Sequence, residues 1–222
     1  MARASNEPQQ LLVEGQNDQH VLWNLCAQHR LPETFKVEIP GSTGGIEELI
    51  RDIPTRLQQR TLQTLGVVVD ADRDPSRQWE RLRGALASTT AVLPSAPASN
   101  GWVTDAAGPV GPLRLGIWVM PDNTIPGILE DFVVTLIPDT DNLLPRARAV
   151  LAELEAAGIH RYSITNRSKA LVHTWLAWQE VPGNRMGTAI GTGHLRYDAL
   201  PARAFIAWLR RLFDPTPTPT AV

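Results

Sequence analysis

Short apolar runs alternate with segments of helical spacing along the first 137 residues of the chain. Apolar runs that predict buried strands lie at residues 11–13, 35–39, 65–69 and 113–120. Apolar positions three or four residues apart predict helices at residues 18–30, 46–57, 76–86 and 127–137. The alternation predicts an α/β fold with a central, mainly parallel four-stranded sheet that helices flank.

The remaining segments differ from this pattern. Residues 89–111 are rich in Pro, Ala, Ser and Gly, and predict an irregular excursion with a short strand near Trp102. Beyond Asp141 helical spacing dominates up to residue 213, except in a Gly-rich segment at 187–193 that we interpret as a flexible loop. We therefore expect an α/β domain at residues 9–137, a C-terminal helical extension packed on it at 138–213, and a disordered tail at 214–222.

Acidic residues directly follow two of the predicted strands. Glu14 comes after residues 11–13, and Asp70 and Asp72 come after residues 65–69. The carboxyl ends of parallel strands meet at one edge of a sheet, where ligands commonly bind, so these acids should converge. Hard oxygen ligands suit Mg²⁺ or Mn²⁺, and crowded carboxylates favour a neutralising cation. The pattern predicts a metal site with Mg²⁺ as the favoured ion.

Bulk properties narrow the functional classes. The 222 residues carry a formal net charge of -2, so the chain as a whole does not attract nucleic acid, and a phosphate partner must be held by local groups. Cys26 is the single cysteine, which excludes an internal disulfide and a cysteine-based zinc site. No apolar run approaches the roughly 20 residues of a membrane span, and no signal segment is evident. We expect a cytoplasmic protein without a membrane partner.

Two segments carry a resemblance to a known family. LVEG at residues 12–15 and VVVDAD at residues 67–72 resemble the motifs of the Toprim domain, found in topoisomerases, bacterial primases, recombination-repair proteins and the overcoming-lysogenization-defect (OLD) nucleases. The resemblance covers roughly residues 9–137. It implies that Glu14, Asp70 and Asp72 bind Mg²⁺ for phosphodiester cleavage or nucleotidyl transfer.

The OLD branch is the most similar, because its members carry a second acid four residues after the first, a further acidic element and a late lysine. Asp18, then Glu130 or Asp131, and Lys169 match those positions here. The resemblance thus implies catalytic roles for Glu14, Asp70, Asp72, Glu130 and Lys169. It implies a metal-binding set of Glu14, Asp18, Asp70, Asp72, Glu130 and Asp131. The whole chain also resembles a stand-alone, uncharacterised Toprim-like family of bacteria and archaea, DUF3226, through its Pro-Asp-Asn, Leu-Glu-Asp and Lys-Ala-Leu segments.

Each of these residues also has a structural interpretation. An acid near a helix start, as at Glu14, Glu130 and Asp131, stabilises the helix dipole whatever its function. Asp72 could cap the helix that follows it, although Asp74, directly before Pro75, can take that role and leave Asp72 free. Lys169 could be an ordinary solvated side chain, and Asp122 could simply form a turn.

Two functions follow from these observations. The first is Mg²⁺-dependent phosphodiester hydrolysis or phosphotransfer on nucleic acid, with Asp18 and Glu130 completing a second metal position. The alternative is a noncatalytic Toprim-like adaptor that binds a nucleic acid or protein partner through the acidic cleft. The chain lacks the P-loop ATPase segment of OLD nucleases, so a dependence on ATP would require a separate ATPase partner.

Overall fold

Five strands and eight α-helices form across residues 7–214, which are the residues that this computed structural model describes. The strands are β1 (Gln9–Leu12), β2 (Lys36–Glu38), β3 (Thr64–Asp70), β4 (Trp102–Ala107) and β5 (Pro112–Met120). The helices are α1 (Gln16–Gln28), α2 (Ile46–Leu57), α3 (Pro75–Ala85), α4 (Leu129–Val134), α5 (Leu143–Ala156), α6 (Arg167–Ala177), α7 (Met186–Gly191) and α8 (Leu200–Phe213). A 3₁₀ turn at Ile164–Asn166 precedes α6.

The strands form one sheet in the order β2-β1-β3-β5-β4. The four strands predicted from the apolar runs are all parallel, which confirms the α/β fold class. The short strand expected near Trp102 is β4, which pairs antiparallel with β5 at the sheet edge. Because β2 and β3 lie on opposite sides of β1, the strand order reverses between β1 and β3. Ligands bind outside the strand ends at such a reversal.

Side chains of alternate residues fill two cores on opposite faces of the sheet. On one face, Leu11, Val68 and Trp118 pack with α1 and with all the helices from α4 to α8. On the other face, Leu12, Val67 and their neighbours pack with α2 and α3. The C-terminal helices therefore share one continuous core with the strands that they cover.

Two glycines allow α8 to lie close against the centre of the sheet. Gly66 of β3 and Gly116 of β5 are paired in the strand register. A Cβ atom added at Gly66 would lie 2.8 Å from Leu212 Cδ2, and one added at Gly116 would lie 2.7 Å from the same atom. Because these two residues lack side chains, Leu212 at the end of α8 can pack directly on the strands, and α8 covers this face of the sheet.

The Gly-rich segment at residues 187–193 contradicts the expectation of a flexible loop, because it overlaps α7, which packs on α1. Gly187 explains the difference, since a Cβ atom there would lie 2.5 Å from the carbonyl oxygen of His20. Glycine at this position allows the two helices to pack closely and does not serve to make the backbone flexible.

The expected tail begins at Asp214, and its residues 215–222 lie outside the described part of the chain. Within residues 7–214, no helix has the length and apolar character to span a membrane.

We expect Gly116→Val to destabilise the protein by about 1–3 kcal/mol, because its side chain would overpack the seat of Leu212. Chemical denaturation followed by tryptophan fluorescence measures this change. Gly84→Ala is the control: it replaces a helical glycine whose added Cβ meets nothing within 4 Å, so it should leave stability unchanged or raise it. Equal stability of Gly116→Val and the wild type would contradict the packing role of this glycine.

Candidate functional site

The ends of β1 and β3 bring two of the predicted acids together. Glu14 lies just beyond β1, and Asp70 is the last residue of β3, the neighbouring strand. The backbone N–H of Asp70 donates a hydrogen bond of 2.8 Å to Glu14 Oε1. This bond fixes the Glu14 carboxylate at the point where the strand order reverses.

The start of α4 adds Glu130 to the same place. The backbone N–H of Leu129 donates to Asp70 Oδ1 at 2.9 Å, and the adjacent Glu130 is only 3% exposed. Two backbone hydrogen bonds between Asp72 and Gly127, of 2.9 and 2.8 Å, tie the segment before α4 to the end of β3. Residues that are distant in sequence, Asp70 and Glu130, are therefore held side by side by backbone contacts.

Asp72 is free of a capping role, as predicted. Asp74 caps α3 by accepting hydrogen bonds from the N–H groups of Ser76 and Arg77, at 2.9 and 3.2 Å. Asp72 instead adopts a left-handed backbone with φ of 52°, and its Oδ2 accepts a hydrogen bond of 3.0 Å from Gln78 Nε2. This arrangement orients the Asp72 carboxylate along the first turns of α3.

Asp18 lies in the first turn of α1 and is 8% exposed. Burial raises the pKa of its carboxyl group, and the nearby backbone N–H groups of Asp18 itself and of Gly15 partly oppose that rise. The loop before α2 closes the other side, because Gly45 N donates to the carbonyl oxygen of Glu14 at 2.7 Å. Gly44 has φ of 71°, and a Cβ atom there would lie 2.5 Å from that same oxygen, so both its backbone and its position require glycine.

Two adjoining cavities open at these acids and share Glu14, Gly45, Asp70 and Lys169. The smaller cavity, of about 390 Å³, also contains Asp18 and Glu130. The larger, of about 610 Å³, also contains Asp72 and extends along α3. The structure thus brings together five predicted acids and the predicted lysine, namely Glu14, Asp18, Asp70, Asp72, Glu130 and Lys169.

Asp131 differs from the other predicted acids, because it lines neither of these two cavities. Its Oδ2 accepts a hydrogen bond of 2.9 Å from Ile128 N at the start of α4, and its Oδ1 accepts one of 2.5 Å from Ser168 Oγ. Asp131 therefore joins α4 to the first turn of α6, next to Lys169. Its predicted metal-binding role stays a prediction, and Glu130 is the acid of this pair that faces the site.

Three arginines line the larger cavity that the sequence analysis did not single out: Arg73, Arg77 and Arg81. They recur every fourth residue directly after Asp72, with Arg73 just before α3 and Arg77 and Arg81 within it, so the repeat was visible in the sequence. Arg81 forms an ion pair of 2.7 Å with Glu47 and also donates to Gln78 Oε1. The local positive charge lies beside the acids in a chain whose net charge is slightly negative.

Burial raises the pKa of four acids at this site. Burial raises the pKa of Glu14 from 4.5 to about 7. The hydrogen bond from Asp70 N opposes this rise, and the negative charges of Asp18 and Asp72 add to it. Burial also raises the pKa of Asp18 to about 6, and that of Asp70 well above its ordinary value. The pKa of Glu130 is also raised by burial, although the charge of Lys169 opposes the change. Each carboxylate is thus held where its negative charge is disfavoured.

The donor set fits a hard divalent cation by its chemistry, although no three His, Cys, Asp or Glu side chains of residues 7–214 are arranged to hold a metal ion directly. Glu14 and Asp70 each use one carboxylate oxygen for a backbone N–H and keep a second oxygen. Mg²⁺ characteristically takes one or two carboxylates and fills its other positions with water and phosphate oxygens. Carboxylate oxygens of this kind match Mg²⁺ or Mn²⁺ by their chemistry better than zinc.

Comparison with known proteins gives one match, to the family described as "Protein of unknown function (DUF3226)", over residues 8–214. The chain belongs to this family. No curated protein and no solved structure matches it. The match spans the acidic site and all eight helices, so the DUF3226 unit includes the C-terminal helices as well as the strands and their acids.

We expect Glu14→Gln to stabilise the metal-free protein at pH 8 and to have little effect at pH 4.5. The folded state binds the Glu14 proton more tightly than the unfolded state, so wild-type stability falls as the pH rises from 4.5 through about 7. Glutamine keeps the acceptor for Asp70 N but carries no charge. Thermal unfolding in EDTA should show a rise in Tm of about 5 °C at pH 8.

Glu33→Gln is the matched control, because Glu33 is exposed on the segment before β2 and lines neither cavity. Its Tm should follow that of the wild type at both pH values. A Tm of Glu14→Gln equal to or below the wild-type value at pH 8 would show that the buried charge does not oppose folding.

Proposed function

We propose that this DUF3226 protein hydrolyses or transfers phosphodiesters of nucleic acid with Mg²⁺ or Mn²⁺, through a Toprim-type acidic site. The observation that carries the proposal is the hydrogen bond from Asp70 N to Glu14 Oε1 at the reversal of strand order. It joins the two motifs that resemble the Toprim domain, LVEG at 12–15 and VVVDAD at 67–72, into one site.

Glu14, Asp70 and Asp72 would contribute to a first metal position, and Asp18 and Glu130 to a second. Because no three of these side chains are arranged to hold an ion directly, water and phosphate oxygens would fill the remaining positions. When bound, such ions polarise phosphoryl oxygens and lower the pKa of coordinated water. The cavities support this division, since Asp72 lines the larger one, Asp18 and Glu130 line the smaller one, and Glu14 and Asp70 line both.

In this proposal Lys169 acts on the substrate. It lines both cavities, and its charge opposes the rise that burial causes in the pKa values of Asp18 and Glu130. A lysine at this position stabilises negative charge that builds up on phosphoryl oxygens as the ester bond breaks. The bond between Ser168 and Asp131 fixes the helical turn that carries it.

The arginines that line the larger cavity favour a phosphate ester as the substrate. A site made only of carboxylates would repel a polyanion, whereas Arg73, Arg77 and Lys169 offer positive charge beside the acids. A noncatalytic adaptor that binds its partner through an acidic cleft needs no such positive charge, so these side chains weaken that alternative. An adaptor would bind nucleic acid or protein without metal-dependent cleavage, so the two functions separate in the following experiment.

We expect Asp70→Asn and Asp72→Asn each to lower Mg²⁺- or Mn²⁺-dependent cleavage by on the order of 100-fold or more, because each removes a ligand charge. The substrates are single-stranded DNA, duplex DNA and RNA. Asparagine can still accept the hydrogen bond from Leu129 N at position 70, and it tolerates the left-handed backbone at position 72. Calorimetry should show Mn²⁺ binding by the wild type and its loss in Asp70→Asn.

Asp139→Asn is the control for lost negative charge, because Asp139 is exposed beyond α4 and lines neither cavity. It should cleave like the wild type. Equal residual cleavage by Asp70→Asn, Asp72→Asn and the wild type would reject this catalytic centre. Nucleic-acid binding with no cleavage by the wild type under any of these conditions would favour the adaptor.

Lys169→Met should lower cleavage by on the order of 100-fold while Mn²⁺ affinity stays the same or rises, because the lysine acts on the substrate and not as a ligand. Lys169→Arg keeps the charge and should restore part of the activity. Cleavage kinetics and calorimetry on the same samples measure both quantities. Undiminished cleavage by Lys169→Met would remove this residue from the mechanism.

A further inference from the structure

Two arginines on the wall of the larger cavity have no partner in the described part of the chain. The guanidinium groups of Arg73 and Arg77 form neither a hydrogen bond nor an ion pair there, and both side chains are exposed. Arg81, one turn further along α3, is held by Glu47 and Gln78. The unpaired groups thus occur only in the part of the arginine row nearest the acids.

Nearby acids do not account for these arginines. The Asp74 carboxylate caps α3, and Asp72 accepts its hydrogen bond from Gln78. Unpaired guanidinium groups beside a cavity are suited to bidentate contacts with phosphate oxygens. Thr165, Asn166 and Lys169 line the same cavity from the start of α6, so a ligand on the arginines would lie between α3 and α6.

We propose that Arg73 and Arg77 bind successive phosphates of a single-stranded nucleic acid and direct its backbone onto Glu14 and Asp70. The proposal rests on the proposed function and specifies its substrate. Arg73 and Arg77 follow Asp70 in the chain by three and seven residues and line the same cavity, so consecutive phosphates of one strand can contact them in turn. DNA and RNA strands share this chemistry.

The size of the cavity favours one strand over two. Its volume of about 610 Å³ lies within the roughly 300–1,000 Å³ of pockets for small ligands, which is room for one or two nucleotides. Duplex DNA is stiff over about 150 base pairs and cannot fold its phosphates into a recess of this size. A flexible single strand can enter and place a phosphodiester at the acids.

The test measures binding of labelled single-stranded DNA and RNA of one sequence, and of the blunt DNA duplex, by fluorescence anisotropy. Ca²⁺ replaces Mg²⁺ as the hard cation for the acidic site, and gels confirm that the strands stay intact. The full chain with Arg73→Gln and Arg77→Gln together should bind single strands at least about 10-fold more weakly than the wild type. The slope of log affinity against log salt should fall by about 1.4, which is about 0.7 for each lost phosphate contact.

The control carries Arg146→Gln and Arg148→Gln, which remove the same charge from exposed positions of α5 outside both cavities. It should bind like the wild type. Unchanged affinity in the Arg73/Arg77 variant, an equal loss in the control, or no wild-type binding to any single strand would overturn the proposal. Equal or tighter wild-type binding to the duplex would also overturn it.

The outcome remains separate from that of the cleavage experiment. If the Arg73/Arg77 variant loses binding and the wild type cleaves nothing, the strand site stands and the catalytic function fails. If cleavage depends on Asp70 while the arginine variant binds like the wild type, the catalytic function stands and the strand site fails.

Discussion

The burial of carboxylates at the reversal of strand order is the constraint on which the rest of this structure depends. Glu14 and Asp70 end adjacent strands inside the fold, where water cannot fully solvate their charge. The Glu14 carboxylate accepts a hydrogen bond from the backbone N–H of Asp70, and the Asp70 carboxylate accepts one from the backbone N–H of Leu129. These donors orient the carboxylates but do not neutralise them, so the fold positions negative charge that a cation would stabilise.

Several loops take their form from this arrangement. Gly44 must be glycine because the loop before α2 approaches the carbonyl oxygen of Glu14, and Gly127 pairs with Asp72 to bring in α4. Asp131 then joins α4 to α6 through Ser168, next to Lys169. The C-terminal helices therefore do two things: they pack on the sheet, and α6 carries Lys169, which lines the candidate site. The family match over residues 8–214 agrees with such a single unit.

The sequence predicted the four parallel strands and the convergence of the acids at their ends, because both depend on local patterns. Asp70 and Asp72 follow the apolar run at residues 65–69 directly, so their place at the end of a strand depends only on local sequence. Parallel strands then bring such ends together at one edge of the sheet. The role of Asp131 and the helix at Met186–Gly191 were not predicted, because they depend on contacts with Ser168 and with α1 that no local pattern encodes. The choice between Glu130 and Asp131 likewise required the direction of α4.

The net charge of the chain does not describe the charges around its candidate site, and the reason is physical. At physiological ionic strength the Debye length is about 8 Å, so a phosphate in the cleft responds to nearby groups rather than to the sum over the chain. Arg73, Arg77 and Lys169 lie around the same cavity as Asp70 and Asp72, and the two sets of charges need not cancel. Carboxylates act on a cation, whereas guanidinium groups act on phosphate oxygens. A site for a metal-bound phosphodiester requires both kinds of charge close together, and a chain of net charge -2 can supply them.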